Sequence, residues 1–287
     1  MSHKSDARDG AVSRQGWWTV ICVGTVFAAL SFSAQGIWAQ ESDEKLPSAE
    51  SIIEKYIDAI GGRAAHKKLN NRLIKAKLEM PAMGFEAAVT AYHARPNKMY
   101  LIMESEAFGN TEQGVTGDVA WQKNMMTGPM IHEGAMKATA LREAEFDSTL
   151  EWKKYFTKAE CVGVEDVEGT ACYKVMMTPK EGDGNPEAHF YAKDSGLLIK
   201  SETELETQMG TMQVAAYQSD YRTVDGVKIA HRVRQVLPMQ EMQMSTESVT
   251  HNVEIPNDRF DMPEDIRALV EKSKEESKTP KPEKKDP

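Results

Sequence analysis

The first regular pattern of apolar positions lies between Ile52 and Ile60. Apolar residues recur there every three or four positions, after Ser48 and before Gly61-Gly62. This spacing is typical of an amphipathic helix with one buried stripe. Ser48 is a residue type that caps helix N-termini, and glycine commonly ends a helix. The segment therefore predicts a helix that lies on another element.

Apolar and polar residues alternate from Leu73 to Met80 and again from Phe85 to Ala91. A period of two predicts half-buried strands. Turn sequences then follow at short spacing: Arg95-Pro96-Asn97, Gly117-Asp118, Glu168-Gly169, Asp194-Ser195-Gly196, Met209-Gly210 and Asp225-Gly226. Such hairpins form an antiparallel sheet, which excludes a parallel α/β fold and its usual nucleotide sites. We predict a mainly β, α+β fold of roughly ten strands, as a large barrel or a strongly curved sheet.

A helical segment is predicted to interrupt the strands from Gly134 to Phe146, where three apolar residues share one helix face. They are Met136, Ala140 and Ala144. Ser148 and Glu151 then have the spacing of a capping box, which predicts a further helical turn. Helices near residues 48–69 and 135–156 are therefore available to cover one face of the sheet.

The first 39 residues have the organisation of an export signal. Basic residues precede an apolar run from Val20 to Leu30, and Ala39 completes an acceptable cleavage site. A signal peptide needs about 7–15 apolar residues, whereas a membrane span needs about 20, so this length disfavours the alternative of an uncleaved anchor. We predict a signal peptide at 1–39, a linker at 40–46, one domain at 47–269 and a disordered charged tail at 270–287.

Charge and motif content exclude several function classes. The chain has 44 acidic and 35 basic residues, a formal charge of −9, which is unlike a nucleic-acid-binding protein. Its histidines never have the i, i+4 spacing of a helical zinc pair, and no Gly-x-Ser-x-Gly motif is present. We therefore predict no enzyme activity, no catalytic residue, no metal and no cofactor.

Two cysteines, Cys161 and Cys172, flank a predicted hairpin. A two-residue turn at Glu168-Gly169 places Cys172 opposite Glu165 rather than opposite Cys161. Because a disulfide needs Cα atoms within about 7 Å, this register argues against a bridge and favours two half-buried thiols.

Methionine is abundant, with 17 residues, many of them on predicted strands. Three interpretations stay open. Met239, Met242 and Met244 could bind copper through soft thioethers. Flexible methionines could line an adaptable apolar cavity, or they could fill gaps in an ordinary core.

Several segments resemble the LolA-like superfamily of bacterial periplasmic proteins, which includes carriers that sort outer-membrane lipoproteins. They are Ile60-Gly61-Gly62, Val119-Ala120-Trp121, residues 170–175, 193–198 and 220–228, and Arg259-Phe260-Asp261-Met262-Pro263. The resemblance spans most of residues 50–263. It implies an open antiparallel half-barrel whose apolar concave face is covered by helices and holds acyl chains.

The resulting hypothesis is an exported carrier that binds lipid or lipoprotein acyl chains in the periplasm of a Gram-negative-type bacterium. A protein of the inner or outer membrane would be its second partner. The alternative is a sensor or interaction module of the cell envelope that transfers nothing. Because polar residues such as Glu104 alternate with the apolar ones, we predict that the drier side of the strands contacts ligand. The predicted ligand residues are Leu101, Met103, Trp121, Met212 and Met244.

Overall fold

The computed structural model describes residues 45–180, 184–207, 210–238 and 240–278. The predicted signal peptide and most of the predicted linker, residues 1–44, lie outside these ranges. The described helices are α1 (Ala49–Ala59), α2 (Gly62–His66), α3 (Gly134–Ala144) and α4 (Glu264–Lys278).

The strands form one open antiparallel sheet. They are β1 (Asn71–Met80), β2 (Phe85–Ala94), β3 (Lys98–Ser105), β4 (Gly109–Thr116), β5 (Val119–Asn124), β6 (Gly128–Ile131), β7 (Phe156–Val167), β8 (Thr170–Pro179), β9 (Glu187–Ala192), β10 (Leu198–Thr207), β11 (Gly210–Val224), β12 (Val227–Leu237) and β13 (Gln240–His251). Their spatial order is β6-β5-β4-β3-β2-β1-β13-β12-β11-β10-β9-β8-β7. The chain thus starts mid-sheet, reaches one edge, crosses through α3 to the other edge, and returns until β13 pairs with β1.

This architecture confirms the predicted half-barrel class, with 13 strands in the described residues rather than roughly ten. The additional strands lack the alternation of apolar and polar residues on which the predicted number of strands depends. β4 has the polar sequence Gly-Asn-Thr-Glu-Gln-Gly-Val-Thr, and β6 has four residues. Neighbouring strands supply the hydrogen bonds of such segments, so they join the sheet without alternation of their own.

Helix α1 begins and ends where the sequence predicts. The Ser48 side chain accepts a hydrogen bond from the Ser51 backbone N–H at 3.2 Å. Gly61 has φ +117°, and a Cβ there would lie 2.3 Å from the Gly226 carbonyl oxygen. Glycine therefore allows the chain after α1 to contact the β11–β12 turn. The apolar stripe of α1 packs on β8 and β9, through Ile52, Ile53, Ile57, Val175, Met177 and Tyr191.

Helix α3 lies on the same face of the sheet as α1, which we call the inner face. Ala140, Leu141 and Ala144 pack against Met99, Val115 and Ala120 of β3 to β5. The Arg142 guanidinium forms a 2.5 Å ion pair with Glu187 of β9. Met136, predicted on the packed stripe, is 63% exposed. The predicted capping box at Ser148 and Glu151 is wrong: the next helical turn is the short 3-10 segment Trp152–Lys154, which has no side-chain cap.

The β7–β8 hairpin has the predicted register. Val167 is opposite Thr170, and Cys172 is opposite Glu165. Glu168 and Gly169 both have positive φ, as a two-residue hairpin turn requires. Both cysteines are free, Cys161 half-buried and Cys172 buried.

Helix α4 lies on the opposite, outer face. Ile266 is fully buried and packs with Tyr100 and Trp121. The predicted tail boundary at 269/270 therefore differs from the structure, in which the helix continues to Lys278. Burial of one apolar residue at the start of α4 anchors a segment whose remaining composition resembles a solvated tail.

Candidate functional site

The inner face of β1 to β3 carries a band of small and apolar side chains. Strand register places residues on this face in cross-strand rows, because directly paired residues point the same way. Three rows are apolar or nearly so: Ile74, Ala91 and Leu101; Ala76, Val89 and Met103; and Leu78 with Ala87, with Ser105 on the same face two residues beyond Met103. Met244 of β13 extends the last row by pairing with Leu78. We call these ten residues the gutter.

The centre of the gutter is made of small residues. Ala76, Ala87, Val89 and Ala91 are each less than 8% exposed. Leu101, Met103 and Met244 are half-buried around them. The short side chains project little from the sheet at the centre of the gutter, whereas the leucine and methionine side chains project farther at its sides. Methionine is unbranched and adapts to irregular apolar shapes. The arrangement gives a trough that can accept a flexible chain.

The structure places three of the five predicted ligand residues in the gutter: Leu101, Met103 and Met244. Met212 shares their face, because Gln218 of its strand pairs with Val233, which pairs with Met244. However, β12 separates β11 from β13, the last strand of the gutter on that side, so Met212 lies outside the gutter.

Trp121 is on the outer face and does not share a face with the other four predicted ligand residues. It pairs with Gly114, which pairs with Tyr100, the neighbour of Leu101 on β3. The indole lies over β4, since a Cβ on Gly114 would be 2.4 Å from Trp121 Cζ2. Trp121 is 2% exposed in a cluster sealed by Ile266. It is therefore a core residue.

Basic side chains stand at one end of the gutter. Arg72, His93 and Met99 form the row that follows Ile74, Ala91 and Leu101. Arg72 Nη2 lies 3.4 Å from His93 Nδ1. Burial, and secondarily the Arg72 charge, lower the pKa of His93 to about 3. His93 is therefore neutral at pH 7 and can accept this hydrogen bond.

Arg95 and His66 complete what we call the basic cluster, with Arg72 and His93. The Arg95 side chain donates to the Leu69 carbonyl at 2.6 Å and to the His66 carbonyl at 3.0 Å. It also forms an ion pair with Asp147. The Phe146 ring lies between the two guanidinium groups, 5.5 Å from that of Arg72 and 4.9 Å from that of Arg95.

A cavity of about 260 Å³ opens onto this cluster. His66, Arg72, His93 and Asp147 all line it, together with parts of α1 and β11. Three buried polar atoms there have no hydrogen-bond partner among the described residues: His66 Nε2, Arg72 Nε and Asp147 Oδ1. The cavity is thus a polar pocket adjoining an apolar trough.

The other end of the gutter leads to hairpin tips with exposed apolar side chains. Met83, in the β1–β2 turn, is 61% exposed, and Phe108, in the β3–β4 turn, is 50% exposed. The Phe108 ring contacts that of Phe85 with centroids 5.4 Å apart. The gutter therefore runs from a basic end to an apolar rim.

A second inner-face cavity, of about 500 Å³, lies beneath α3. Its lining is mixed, with Met136 and Ala140 of the helix facing polar groups of the sheet such as Gln113, Gln122 and Glu187. Glu187 is already paired with Arg142 and lies 3.0 Å from His189. This space is less suited to an acyl chain than the gutter.

Solved structures with a similar fold include three bacterial proteins. A DUF1329 family protein from Desulfovibrio piger ATCC 29098 superposes with a TM-score of 0.53 at 12% identity, over 75% of this chain and 98% of that one. A LolA superfamily protein from Nitrosomonas europaea gives a TM-score of 0.50 at 11% identity, over 76% and 99% of the two chains. The chain has a LolA-like fold.

A putative outer membrane lipoprotein-sorting protein domain from Vibrio parahaemolyticus also gives a TM-score of 0.50, at 10% identity, over 74% of this chain and 97% of that one. At such identities the likeness concerns the LolA-like fold and not the ligand. No family model matches the sequence, and no curated protein matches it.

Two further structural observations bear on the sequence hypotheses. Within the described ranges, none of the helices has the length and apolar content needed to cross a membrane. In the same ranges, no group of three His, Cys, Asp or Glu side chains is arranged to hold a metal ion. Met239 of the copper hypothesis lies outside the described residues, and Met244 belongs to the gutter.

The basic cluster escaped the sequence prediction, although a signal for it exists. Arg72 and His93 are 21 positions apart, on either side of the Pro81–Gly84 turn. Continuing the β1–β2 register outward from that turn pairs them directly. The same extension of a register from its turn predicts the observed pairs of the cysteine hairpin.

Proposed function

We propose that this protein is an exported, non-enzymatic carrier that holds lipid or lipoprotein acyl chains in the gutter. The observation that carries the proposal is the alignment of ten small or apolar side chains on one face of four adjacent strands. Catalysis has no part in this function. The carrier removes apolar surface from water during transport, and hydrophobic burial provides the driving force.

The dimensions of the gutter suit an acyl chain. Arg72 and Leu78 are six residues apart on β1, which corresponds to about 20 Å at the rise of an antiparallel strand. The hydrocarbon core of a bilayer is about 30 Å thick, so one layer of acyl chains is about 15 Å long. Each buried methylene contributes about 0.8 kcal/mol, so a chain that fills the gutter supplies ample binding free energy.

The exposed apolar rim supports transfer rather than storage. Met83 and Phe108 lie at the end of the gutter away from Arg72. A chain that leaves a membrane or a partner would contact these side chains before reaching the gutter. The periplasm is the proposed compartment, since residues 1–39 have the organisation of a signal peptide.

Mass spectrometry of lipids that co-purify with the mature protein tests the proposal. We expect acylated molecules in the organic extract, and binding of a fluorescent fatty acid by protein that has been stripped of lipid. Protein that carries no lipid and binds no fatty acid would reject the carrier function. The edge strand β7, with Val162 51% and Val164 45% exposed, would then favour the interaction-module alternative.

Two neighbouring alanines of β2 provide a matched pair of variants. Ala87 is on the gutter floor and 4% exposed, whereas Ala88 is exposed on the outer face. Ala87→Phe fills the gutter and should abolish fatty-acid binding, and Ala88→Phe should leave it intact. Equal binding by both variants would place the ligand elsewhere.

A further inference from the structure

Arg72 is a cation for which the described residues provide no carboxylate partner. Its contacts are with the neutral His93 ring and the face of Phe146. Its Nε is buried without a hydrogen-bond partner among those residues. A guanidinium stays charged at any physiological pH, so an anion that comes close offsets the desolvation of Arg72.

The neighbouring acids are engaged with other groups. Asp147 pairs with Arg95. Glu145 hydrogen-bonds Tyr155, and Glu143 interacts electrostatically with Arg142. His251, which pairs with Arg72 across the strands, contacts Asp225 at 2.9 Å. The cavity of about 260 Å³ is lined by two cations, Arg72 and Lys228, and by three carboxylates, Glu143, Glu145 and Asp147. Among the described residues, none of these carboxylates forms an ion pair with Arg72, whereas Asp147 pairs with Arg95.

Arg72 adjoins the gutter directly, because the row of Arg72 and His93 follows the row of Ile74 and Ala91. A cation without a carboxylate partner at the end of the apolar gutter matches the polarity of an amphiphile with one anionic end.

We propose that the basic cluster binds the anionic group, a carboxylate or a phosphate, of a single-chain amphiphile whose acyl chain lies in the gutter. The inference rests on the proposed function, since it adds a headgroup site to the acyl-chain site. Arg72 Nε and Nη atoms donate to the anion, and His66 Nε2 provides a further polar contact. The tail then points toward the Met83 and Phe108 rim.

Displacement titrations with three ligands of equal chain length test this proposal. Palmitate, hexadecyl phosphate and 1-hexadecanol differ only in the headgroup. Hydrogen bonds to a charged partner contribute about 1.5–3 kcal/mol, which corresponds to about a 10- to 100-fold preference for the two anions over the alcohol. Acetate and inorganic phosphate, which lack the chain, should displace none of the three.

Arg72→Met should lower palmitate affinity by about 10- to 100-fold and leave 1-hexadecanol affinity unchanged. Arg72→Lys should retain part of the preference. The control is Arg232→Met, because Arg232 is exposed and its strand neighbour Val233 points to the inner face, so Arg232 points outward. If Arg72→Met does not fold, the preference of the unaltered protein and of Arg72→Lys still decides the question.

Four results would overturn the inference. Equal affinity of the unaltered protein for palmitate and 1-hexadecanol would reject the headgroup site and leave the carrier function standing. Equal loss of both ligands in Arg72→Met would show that Arg72 only supports the fold. Displacement by inorganic phosphate alone would reassign the cluster to a free anion. If the unaltered protein bound none of the chains, the proposed function would fail together with the inference.

Discussion

The two faces of the same strands differ in what fills them. On the outer face of β2 to β5, large aromatic side chains of Tyr92, Tyr100 and Trp121 pack closely, and Ile266 of α4 seals them. On the inner face of β1 to β3, alanines and valine line the gutter, which ends at the half-buried Arg72. A face filled with aromatic rings behaves as core, whereas a face of small residues beside an unpaired charge is suited to bind.

The largest expected effect concerns the outer cluster. Trp121→Ala removes a nearly fully buried indole and should lower the free energy of unfolding by about 3–5 kcal/mol. Urea unfolding followed by circular dichroism measures this change. Met126→Ala is the control, because Met126 is 82% exposed. A loss below about 1 kcal/mol for Trp121→Ala would mean that the outer cluster is not a core.

On the inner face, the corresponding change should affect binding more than folding. Met103→Glu puts a carboxylate in the gutter, and an acyl chain could then bind only by burying that charge, at a cost of several kcal/mol. We expect a folded protein whose fatty-acid affinity is reduced by about 100-fold or more. Met212→Glu lies outside the gutter and should bind nearly normally. Unfolding of Met103→Glu would identify Met103 as ordinary core.

Acid should destabilise the Arg72 end of the gutter before it affects the outer cluster, which has no histidine among its members. The pKa of His93 is about 3 in the folded chain and about 6.5 in the unfolded chain, so between these values only the unfolded state binds the proton. Stability therefore falls as the pH falls below 6.5. His93 alone should cost about 2 kcal/mol at pH 5 relative to pH 8.

Urea unfolding at pH 8, 6.5 and 5 measures this loss, and His93→Gln should reduce it by about 2 kcal/mol. Burial also lowers the pKa of His66, with further contributions from Arg72 and Arg95, so part of the loss should remain in the variant. An unchanged pH dependence in His93→Gln would show that His93 is not buried in its neutral form.

The smallest effect is expected at the ion pair between Lys123 and Asp265, which links β5 to α4 at 2.8 Å. Both side chains are well exposed, so Lys123→Gln should cost less than about 0.5 kcal/mol. Thermal unfolding of Lys123→Gln, compared with that of Trp121→Ala, shows whether apolar contact or charge holds α4 on the sheet. A loss comparable to that of Trp121→Ala would favour charge.

Elements with local signals were predicted well. The Ser48 cap, the Glu168-Gly169 turn and the pairing of Cys172 with Glu165 each depend on residues close in sequence. The half-barrel class followed from hairpin spacing and from the resemblance to LolA-like proteins. In each case the backbone geometry is determined by neighbouring residues.

The features that were missed depend on contacts distant in sequence. A period of two shows that Trp121 and Ala120 lie on opposite faces, but not which face the helices cover. That face is decided by α3 and α4, which pack on either side of β5. Helix α4 was not predicted, because Ile266, the residue that buries its first turn, lies in a segment rich in charged residues.

Photo-cross-linking with a diazirine-bearing palmitate tests most directly whether the gutter is the binding surface for the acyl chain. Labelled peptides should contain the gutter strands, with cross-links at Val89, Ala91, Leu101 or Met103, and excess unlabelled palmitate should remove them. Ala87→Phe should lose the labels, and Ala88→Phe should keep them. Labels concentrated on Trp121 and α4, or spread evenly over both faces and insensitive to competitor, would contradict the assignment of the gutter as the acyl-chain site.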